Sequence, residues 1–475
     1  MRGRRAFVAS AYSGRRSDGQ RASATRHRMS FSAAALRAVL TAHAPLATTG
    51  LVVAISGGAD SACLLTALAQ LGSAPFRNLP LRAVHVDHGL QPAAADFRRA
   101  CVDLCRRLGV PFNVVAVTVD SSGGVSIEAA ARTARYQGLA QNLKPGECLL
   151  TAHHAEDQAE TLLLQLLRGA GLKGMSAMPI CRAWSGGWHL RPLLSVASRD
   201  LRKFGADAGV AAVADPMNLD LRFDRAYLRE RLWPLIEKRW PGAAITLSRT
   251  ARHVADAQEL LNQSAALAVQ KVRDGTTLSV TGLRALCETE QLNALRYWIT
   301  ANAAAPPSSA RLREALRQII AADPDHLPAI VWGEHALRRY RDRLFLTTAS
   351  PPCLDEKREW VVASGTNLDL GCNFGTLRWS AQIGGLDGDR LPATLSVRRR
   401  RGGETLKPQR RARTQSLQHL CQSLGVLPWM RDALPLLYAG DELIAVGDLW
   451  LDARWCVAAG APGFGCVWQD APILV

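Results

Sequence analysis

Ser56, Gly57, Gly58, Ala59, Asp60 and Ser61 lie between two apolar runs, Leu51–Ile55 and Ala62–Leu71. The first run has the length and β-branched content of a strand, and the second has the spacing of a helix. At such a junction the first N–H groups of the helix are unpaired and sit at the positive end of its dipole, while glycines let the backbone close on an anion. Hydroxyls at Ser56 and Ser61 add donors. The segment therefore reads as a phosphate cradle, distinct from the GxxxxGK[ST] loop of β,γ-cleaving nucleotidases. A carboxylate beside phosphates calls for a cation between them, so Asp60 is expected to hold Mg²⁺, which favours carboxylate-plus-phosphate coordination. A plain strand-to-helix turn is the bland alternative, and finding all six residues in that context weighs against it.

A second cluster follows the run Cys148–Ala152: His153, His154, Glu156, Asp157, Glu160 and Thr161. If a helix starts near Ala155, then Asp157, Glu160 and Thr161 share one face by their three- and four-residue spacing. Clustered carboxylates could select an ammonium group and help it lose the proton that must leave before nitrogen attacks. From these residues alone, an acidic first helical turn favoured by the dipole, with two ordinary strand-end histidines, reads equally well. Glu128, Arg132 and Arg135 recur on one helical face, which suits either a phosphate or a surface ion pair. Farther on, Arg398, Arg399, Arg400 and Arg401 precede Gly402-Gly403, with Lys407, Arg410, Arg411 and Arg413 beyond. So dense a basic segment could grip phosphates with steep salt dependence, although charge runs are more often solvated faces. The aromatics Trp429, Tyr438 and Trp450 read as core packing rather than base stacking.

Positioning the first two clusters requires short strands alternating with helices, the pattern of a parallel sheet covered on both faces. Candidate strands are Leu51–Ile55, Leu81–Val86, Phe112–Val117 and Cys148–Ala152, with Val210–Val213 as a fifth. Ligands of such sheets bind beyond the carboxyl ends of the strands, where Ser56–Asp60, Asp87–His88 and His153–Asp157 all fall. After Trp240-Pro241-Gly242 the alternation stops and a long connecting helix, Ile245–Val272, is expected. A mostly helical segment with breaks at Pro306-Pro307 and Pro324 follows, and from Trp360 onward alternating runs with glycine turns predict a small β-rich domain.

The composition agrees with a folded multidomain chain. Its 475 residues exceed one compact core, 48% are apolar, and no apolar run approaches the roughly 20 residues of a membrane span. The formal charge is +17; residues 1–28 carry eight Arg and one Asp, so +10 remains without them, still a charge suited to a polyanion. That first segment is expected to be disordered, and Met29 is the favoured start. None of the eleven cysteines forms a CxxC pair, so neither a zinc site nor a disulfide framework is expected, and Cys101 and Cys105 read as reduced core residues.

Ser-Gly-Gly-x-Asp-Ser after a strand resembles the PP-loop family of N-type ATP pyrophosphatases. Together with His153-His154-x-x-Asp157-Gln158-x-Glu160-Thr161 and the following Arg168-Gly-x-Gly171-x-x-Gly174-Met175, the chain closely resembles the tRNA(Ile)-lysidine synthetase motif HHxxDQxETxLxxLxRGxGxxGLxxM. Only Met175 departs from it. The resemblance extends through Val86-Asp-His88-Gly-Leu, Ser126-Ile-Glu128-Ala-Ala-Ala-Arg132-x-x-Arg135-Tyr136, Arg191-Pro-Leu-Leu and Asp215-Pro-Met-Asn218-x-Asp220-x-x-Phe223-x-Arg225, with Met217 and Ala226 where the family has Ser and Asn. It implies a Rossmann-like PP-loop catalytic domain over 31–242, a helical middle domain over 243–350 and a C-terminal tRNA-docking domain over 357–475, behind an extension over 1–30. The implied reaction is ATP-dependent attachment of free lysine to the wobble cytidine of a tRNA(Ile) with a CAU anticodon, in the cytoplasm. Implied roles are ATP binding for Ser56, Gly57, Gly58, Ala59, Asp60 and Ser61, Mg²⁺ binding for Asp60, lysine binding for Asp157 and Glu160, and contact with the reacting nucleotide for Arg132 and Arg225. Arg398, Arg399, Arg400, Arg401, Lys407 and Arg410 would meet tRNA. A homodimer is compatible with the resemblance, and no membrane partner is implied. The rivals are a tRNA thiolase of the same loop family, against which the missing CxxC pairs speak, and a nucleotide-regulated RNA-binding protein with a dead loop.

Overall fold

The computed structural model describes residues 31–72, 76, 78–87, 94–119, 127–210, 221–323, 327–350, 357–361, 367–371, 374–409 and 413–471. The chain forms two compact units, one ending at Glu259 and the other beginning at Leu260.

The first unit is built on a six-stranded sheet of order β3-β2-β1-β4-β6-β5. Its strands are β1 (Gly50–Ala54), β2 (Leu81–Asp87), β3 (Phe112–Ala116), β4 (Glu147–Leu150), β5 (Cys181–Trp184) and β6 (Gly187–Leu190). Strands β1 to β4 and β6 pair in parallel, with Leu51 facing Leu81 on one side and Cys148 on the other, and β5 is antiparallel to β6. Alternating side chains of β1 serve both faces. Leu51, Val53 and Ile55 pack with Leu64, Leu65, Leu68 and Leu201, while Val52 joins Val84, Leu139 and Leu149 on the other face. The helices of this part are α1 (Ala33–His43), α2 (Ala59–Ala69), α3 (Ala94–Leu108), α4 (Ile127–Asn142), α5 (Ala155–Leu167), α6 (Leu172–Met175) and α7 (Ser198–Asp207), and α2, α4 and α7 supply the helical partners just named. Cys101 and Cys105 lie buried on α3 as expected.

The chain lays down β1, β2 and β3 in one direction and then crosses back to place β4 on the other side of β1. This reversal leaves a crevice beyond the carboxyl ends of β1 and β4, the place where open α/β sheets take their ligands. The fifth strand expected at Val210–Val213 falls almost wholly outside the described residues; only Val210 is among them, with no strand assigned to it. The β5–β6 hairpin extends the sheet beyond β4. Its turn has positive φ at both Ser185 (49°) and Gly186 (73°), the signature of a twist-matched two-residue turn. Gly187 follows, where a Cβ would lie 2.2 Å from the Glu147 carbonyl oxygen.

Beyond α7 the unit continues through α8 (Asp224–Tyr227), a π-helical turn (Leu228–Leu232) and α9 (Trp233–Arg239) into α10 (Ala243–Val272), whose 30 residues match the expected connecting helix. In the second unit the segment expected to be mostly helical is so through Ala321, and it closes with strands Ala329–Trp332, His335–Tyr340 and Arg343–Thr348 in a five-stranded sheet. The β-rich C-terminal part has a five-stranded and a three-stranded sheet around Trp360, Leu377, Leu395, Leu437 and Trp468. Trp429, Tyr438 and Trp450 pack against this core. Among the described residues no helix is long and apolar enough to cross a membrane.

Candidate active site

The loop after β1 is braced by its own serines. Ser61 Oγ accepts from the Ser56 N–H at 3.2 Å and donates to the Gly58 carbonyl at 3.0 Å, and Ser56 Oγ accepts from the Gly58 N–H at 3.3 Å. Ser61 is buried and works within the loop, whereas Ser56 is exposed at its mouth. Gly58 caps α2 without a side-chain hydrogen bond, so the first-turn N–H groups of Ala59, Asp60 and Ser61 face the crevice end of the helix. Of the two glycines only Gly57 requires its type. Its φ is +85°, and a Cβ would sit 2.9 to 3.1 Å from atoms of Phe97 on α3.

The second cluster stands across the crevice, at the junction of β4 and α5. His154 caps α5, its backbone N–H donating to Asp157 Oδ2 at 3.0 Å. The ring of His154 reaches both loops: Nε2 lies 3.5 Å from Asp60 Oδ2 and 3.5 Å from Asp157 Oδ2, and Nδ1 lies 3.0 Å from Glu156 Oε2. Burial alone would lower the pKa of this histidine, but the carboxylates of Asp60, Glu156 and Asp157 outweigh it and push it up to about 10. The ring is an imidazolium at neutral pH and ties the phosphate loop to the acidic helix.

Asp157 and Glu160 share a face of α5 as the spacing predicts, and two arginines fill it. Arg225 donates from Nε to Glu160 Oε2 and from Nη2 to Asp157 Oδ1, both at 2.9 Å. Arg229, in the π-helical turn, donates from Nε to Glu160 Oε1 at 2.8 Å and from Nη2 to Glu160 Oε2 at 2.9 Å and Asp157 Oδ1 at 3.2 Å. Glu160 is only 1% exposed. Burial would raise the Asp157 carboxyl, yet the charges of His154 and Arg225 hold it below the usual carboxylate range. The cluster sets four carboxylates (Asp60, Glu156, Asp157, Glu160) against three cations (His154, Arg225, Arg229), one negative charge in excess.

Arg132 is not in this cluster. Its guanidinium lies 5.3 Å from the centroid of the Tyr136 ring, with Arg135 at 5.6 Å. Asp215, Asn218, Asp220 and His88 lie outside the described residues. Neither Arg229 nor a role for His154 is marked by the motifs; the signal present in the sequence is the four-residue spacing of Arg225 and Arg229, matched to the three-residue spacing of Asp157 and Glu160.

In the C-terminal part the basic segment is partly committed. Arg398 lies 4.6 Å from the Tyr438 ring centroid and donates to Ser396 Oγ and the Gly440 carbonyl, and Arg400 pairs with Glu404 at 3.6 Å. Arg399 is half-buried, Arg401 is exposed, and the Lys407 N–H donates to Asp452 at 3.0 Å. Arg410 lies outside the described residues.

A family model described as the PP-loop domain matches residues 32–236, one described as the TilS substrate binding domain matches 278–345, and one described as the TilS substrate C-terminal domain matches 395–468. The tRNA(Ile)-lysidine synthase of Alkalilimnicola ehrlichii is 39% identical over 425 residues, 89% of this chain and 94% of that protein. That of Coxiella burnetii is 38% identical over 419 residues, 88% of this chain and 91% of that protein. Among solved structures, a U34-tRNA thiolase from Methanococcus maripaludis aligns at 15% identity and a TM-score of 0.39, covering 47% of this chain and 78% of that one. With the phosphate loop, the acidic helix and both later domains matched, the chain belongs to the tRNA(Ile)-lysidine synthase family.

Proposed function

We propose that this chain uses ATP to attach lysine to C2 of the wobble cytidine in a tRNA(Ile) bearing a CAU anticodon. Cytidine O2 attacks the α-phosphorus of ATP, the bond from that phosphorus to the bridging oxygen breaks, and pyrophosphate leaves. The lysine ε-nitrogen, having lost a proton, then attacks C2, and AMP departs with the O2 oxygen. The observation that carries this reading is the His154 imidazolium, which joins the carboxylate of the phosphate loop, Asp60, to that of the acidic helix, Asp157. It couples a nucleotide-binding loop to an acidic helix whose carboxylates, Asp157 and Glu160, would receive the lysine ammonium.

In this reading the N–H groups at the start of α2 and the exposed Ser56 bind the phosphates, and Gly57 allows their approach. Asp60, 40% exposed at its side chain, fits Mg²⁺, which takes one or two carboxylates and fills its remaining positions with water and phosphate oxygen. Bound there, the ion would offset the charge gathering on the phosphates. Asp157 and Glu160 bind the lysine amine, Arg225 and Arg229 hold those carboxylates ionised, and Arg132 meets the nucleotide. Arg401, exposed beside the glycine turn, contacts the tRNA backbone, while Arg400 stays paired with Glu404. The three domains are assigned to 31–242, 243–350 and 357–475, and the compartment to the cytoplasm. A homodimer belongs to this reading, and sedimentation velocity reads it directly.

The test is release of pyrophosphate and AMP from ATP by the full chain, with and without unmodified tRNA(Ile) and lysine. Pyrophosphate release that needs tRNA, and AMP release that needs lysine as well, is the expected pattern; release of both without tRNA would overturn it.

A further inference from the structure

Beside the carboxylate cluster runs a second buried polar chain that the reaction scheme leaves unused. Thr151 follows β4 and is buried, and its Oγ1 lies 2.9 Å from His153 Nδ1 and 2.9 Å from His189 Nε2. His189 belongs to the neighbouring strand β6 and is completely buried. Its Nδ1 lies 3.2 Å from Arg191 Nη2, while Arg191 Nη1 donates to the Pro179 carbonyl at 2.9 Å. The chain thus runs from Arg191 through His189 and Thr151 to His153, at the crevice.

Its direction follows from the donor inventory. A guanidinium can only donate, so His189 Nδ1 accepts. A neutral imidazole with an accepting Nδ1 carries its proton on Nε2, and that N–H donates to Thr151 Oγ1. The threonine hydroxyl has one proton left to give, and His153 Nδ1 is the acceptor in reach. Protonating His189 would set its Nδ1–H against an Arg191 N–H, donor facing donor. The surroundings agree. Burial first, then the charges of Arg191, Arg182 and Arg132 and the nearby His153, hold His189 down at about 2. His153 is lowered to about 3 by burial and by Arg191, Arg132 and Arg225, against the opposing pull of Asp157.

We propose that Arg191, His189 and Thr151 form a one-way donor chain that fixes His153 as the neutral Nε2–H tautomer, giving the crevice an uncharged hydrogen-bond donor aimed at an oxygen of the bound nucleotide. Among the described residues Nε2 of His153 has no hydrogen-bond partner. A donor that stays neutral does not compete with the lysine ammonium for Asp157. The role at the nucleotide rests on the function proposed above, whereas the tautomer does not.

The full chain labelled with ¹⁵N-histidine, without substrates, reads the tautomer from long-range ¹H–¹⁵N spectra, the His153 ring being assigned by its loss in His153→Asn. The expected result is the neutral Nε2–H pattern from pH 5 to 8 in the wild type and in Thr151→Ser. Thr151→Val, which keeps shape but removes the hydroxyl, is expected to give a mixture of tautomers. With tRNA and ATP, Thr151→Val should lower kcat for pyrophosphate release about tenfold, less than the loss of an electrostatic donor outright, with the KM for ATP little changed; Thr151→Ser should recover most of it. A wild-type His153 that is charged at pH 7 or protonated at Nδ1 overturns the proposal, as does equal loss in the Ser and Val variants. Failure of the wild type to ligate lysine would count against the functional reading alone, because the spectrum is taken without substrate.

Discussion

His154 and His189 differ in charge, one cationic and one neutral, for reasons visible around each ring. His154 is buried among three carboxylates and titrates at about 10, whereas an unfolded histidine titrates near 6.5. Its contribution to stability is therefore full below about pH 6.5 and is lost as pH rises through the folded value. His189 behaves in reverse: held neutral down to about 2, it costs stability as pH falls below about 6.5, where the unfolded ring takes up a proton. Urea denaturation across pH should show His154→Gln flattening the alkaline decline and His189→Gln flattening the acid one; unchanged slopes in both would contradict these charge states. Glu160 gives a prediction about chemistry. Glu160→Gln removes the charge shared by Arg225 and Arg229 and should cost on the order of 1–3 kcal/mol, less than for a fully buried pair because the guanidiniums are partly exposed. Its tRNA-dependent pyrophosphate release should survive while lysine incorporation falls at least a hundredfold, so that adenylated tRNA accumulates.

At the scale of elements, the loop after β1 separates its two glycines. Gly57→Ala puts a Cβ into Phe97 at positive φ, whereas a Cβ at Gly58 meets only Ser56 Oγ at 3.4 Å. Gly57→Ala is expected to lose ATP turnover by two or more orders of magnitude and Gly58→Ala by less than tenfold, measured as pyrophosphate release; equal losses would mean that backbone shape is not what the loop requires. These features also mark what the sequence made legible. Strands β1 to β4 announce themselves as apolar runs ending in polar residues, and α5 begins at Ala155, where its cap and acidic turn put it. The β5–β6 hairpin does not: each strand has four residues, Arg182 and His189 interrupt any alternation, and only Ser185-Gly186 marks the turn. The phosphate loop is local and could be read directly, but the arginine fork on Asp157 and Glu160 joins residues more than sixty positions apart. His154 likewise owes its charge to carboxylates from two separate loops, a fact of assembly rather than of spacing.

For the molecule as a whole, net charge governs the encounter with RNA. A chain at +17 should bind RNA with an affinity that falls steeply with salt, and the slope counts phosphate contacts. Arg401 is exposed, while Arg400 pairs with a nearly buried Glu404. Arg401→Glu should therefore lower the slope of log Kd against log salt by about 0.7–0.9, and Arg400→Ala should lower Tm with little change in slope. Lysidine formation itself is read by following labelled lysine into unmodified tRNA(Ile) with a CAU anticodon, with and without ATP and Mg²⁺, and mapping the label. ATP-dependent label at the wobble cytidine, lost in Asp60→Ala, is the predicted result; pyrophosphate release with no lysine on the tRNA would contradict it.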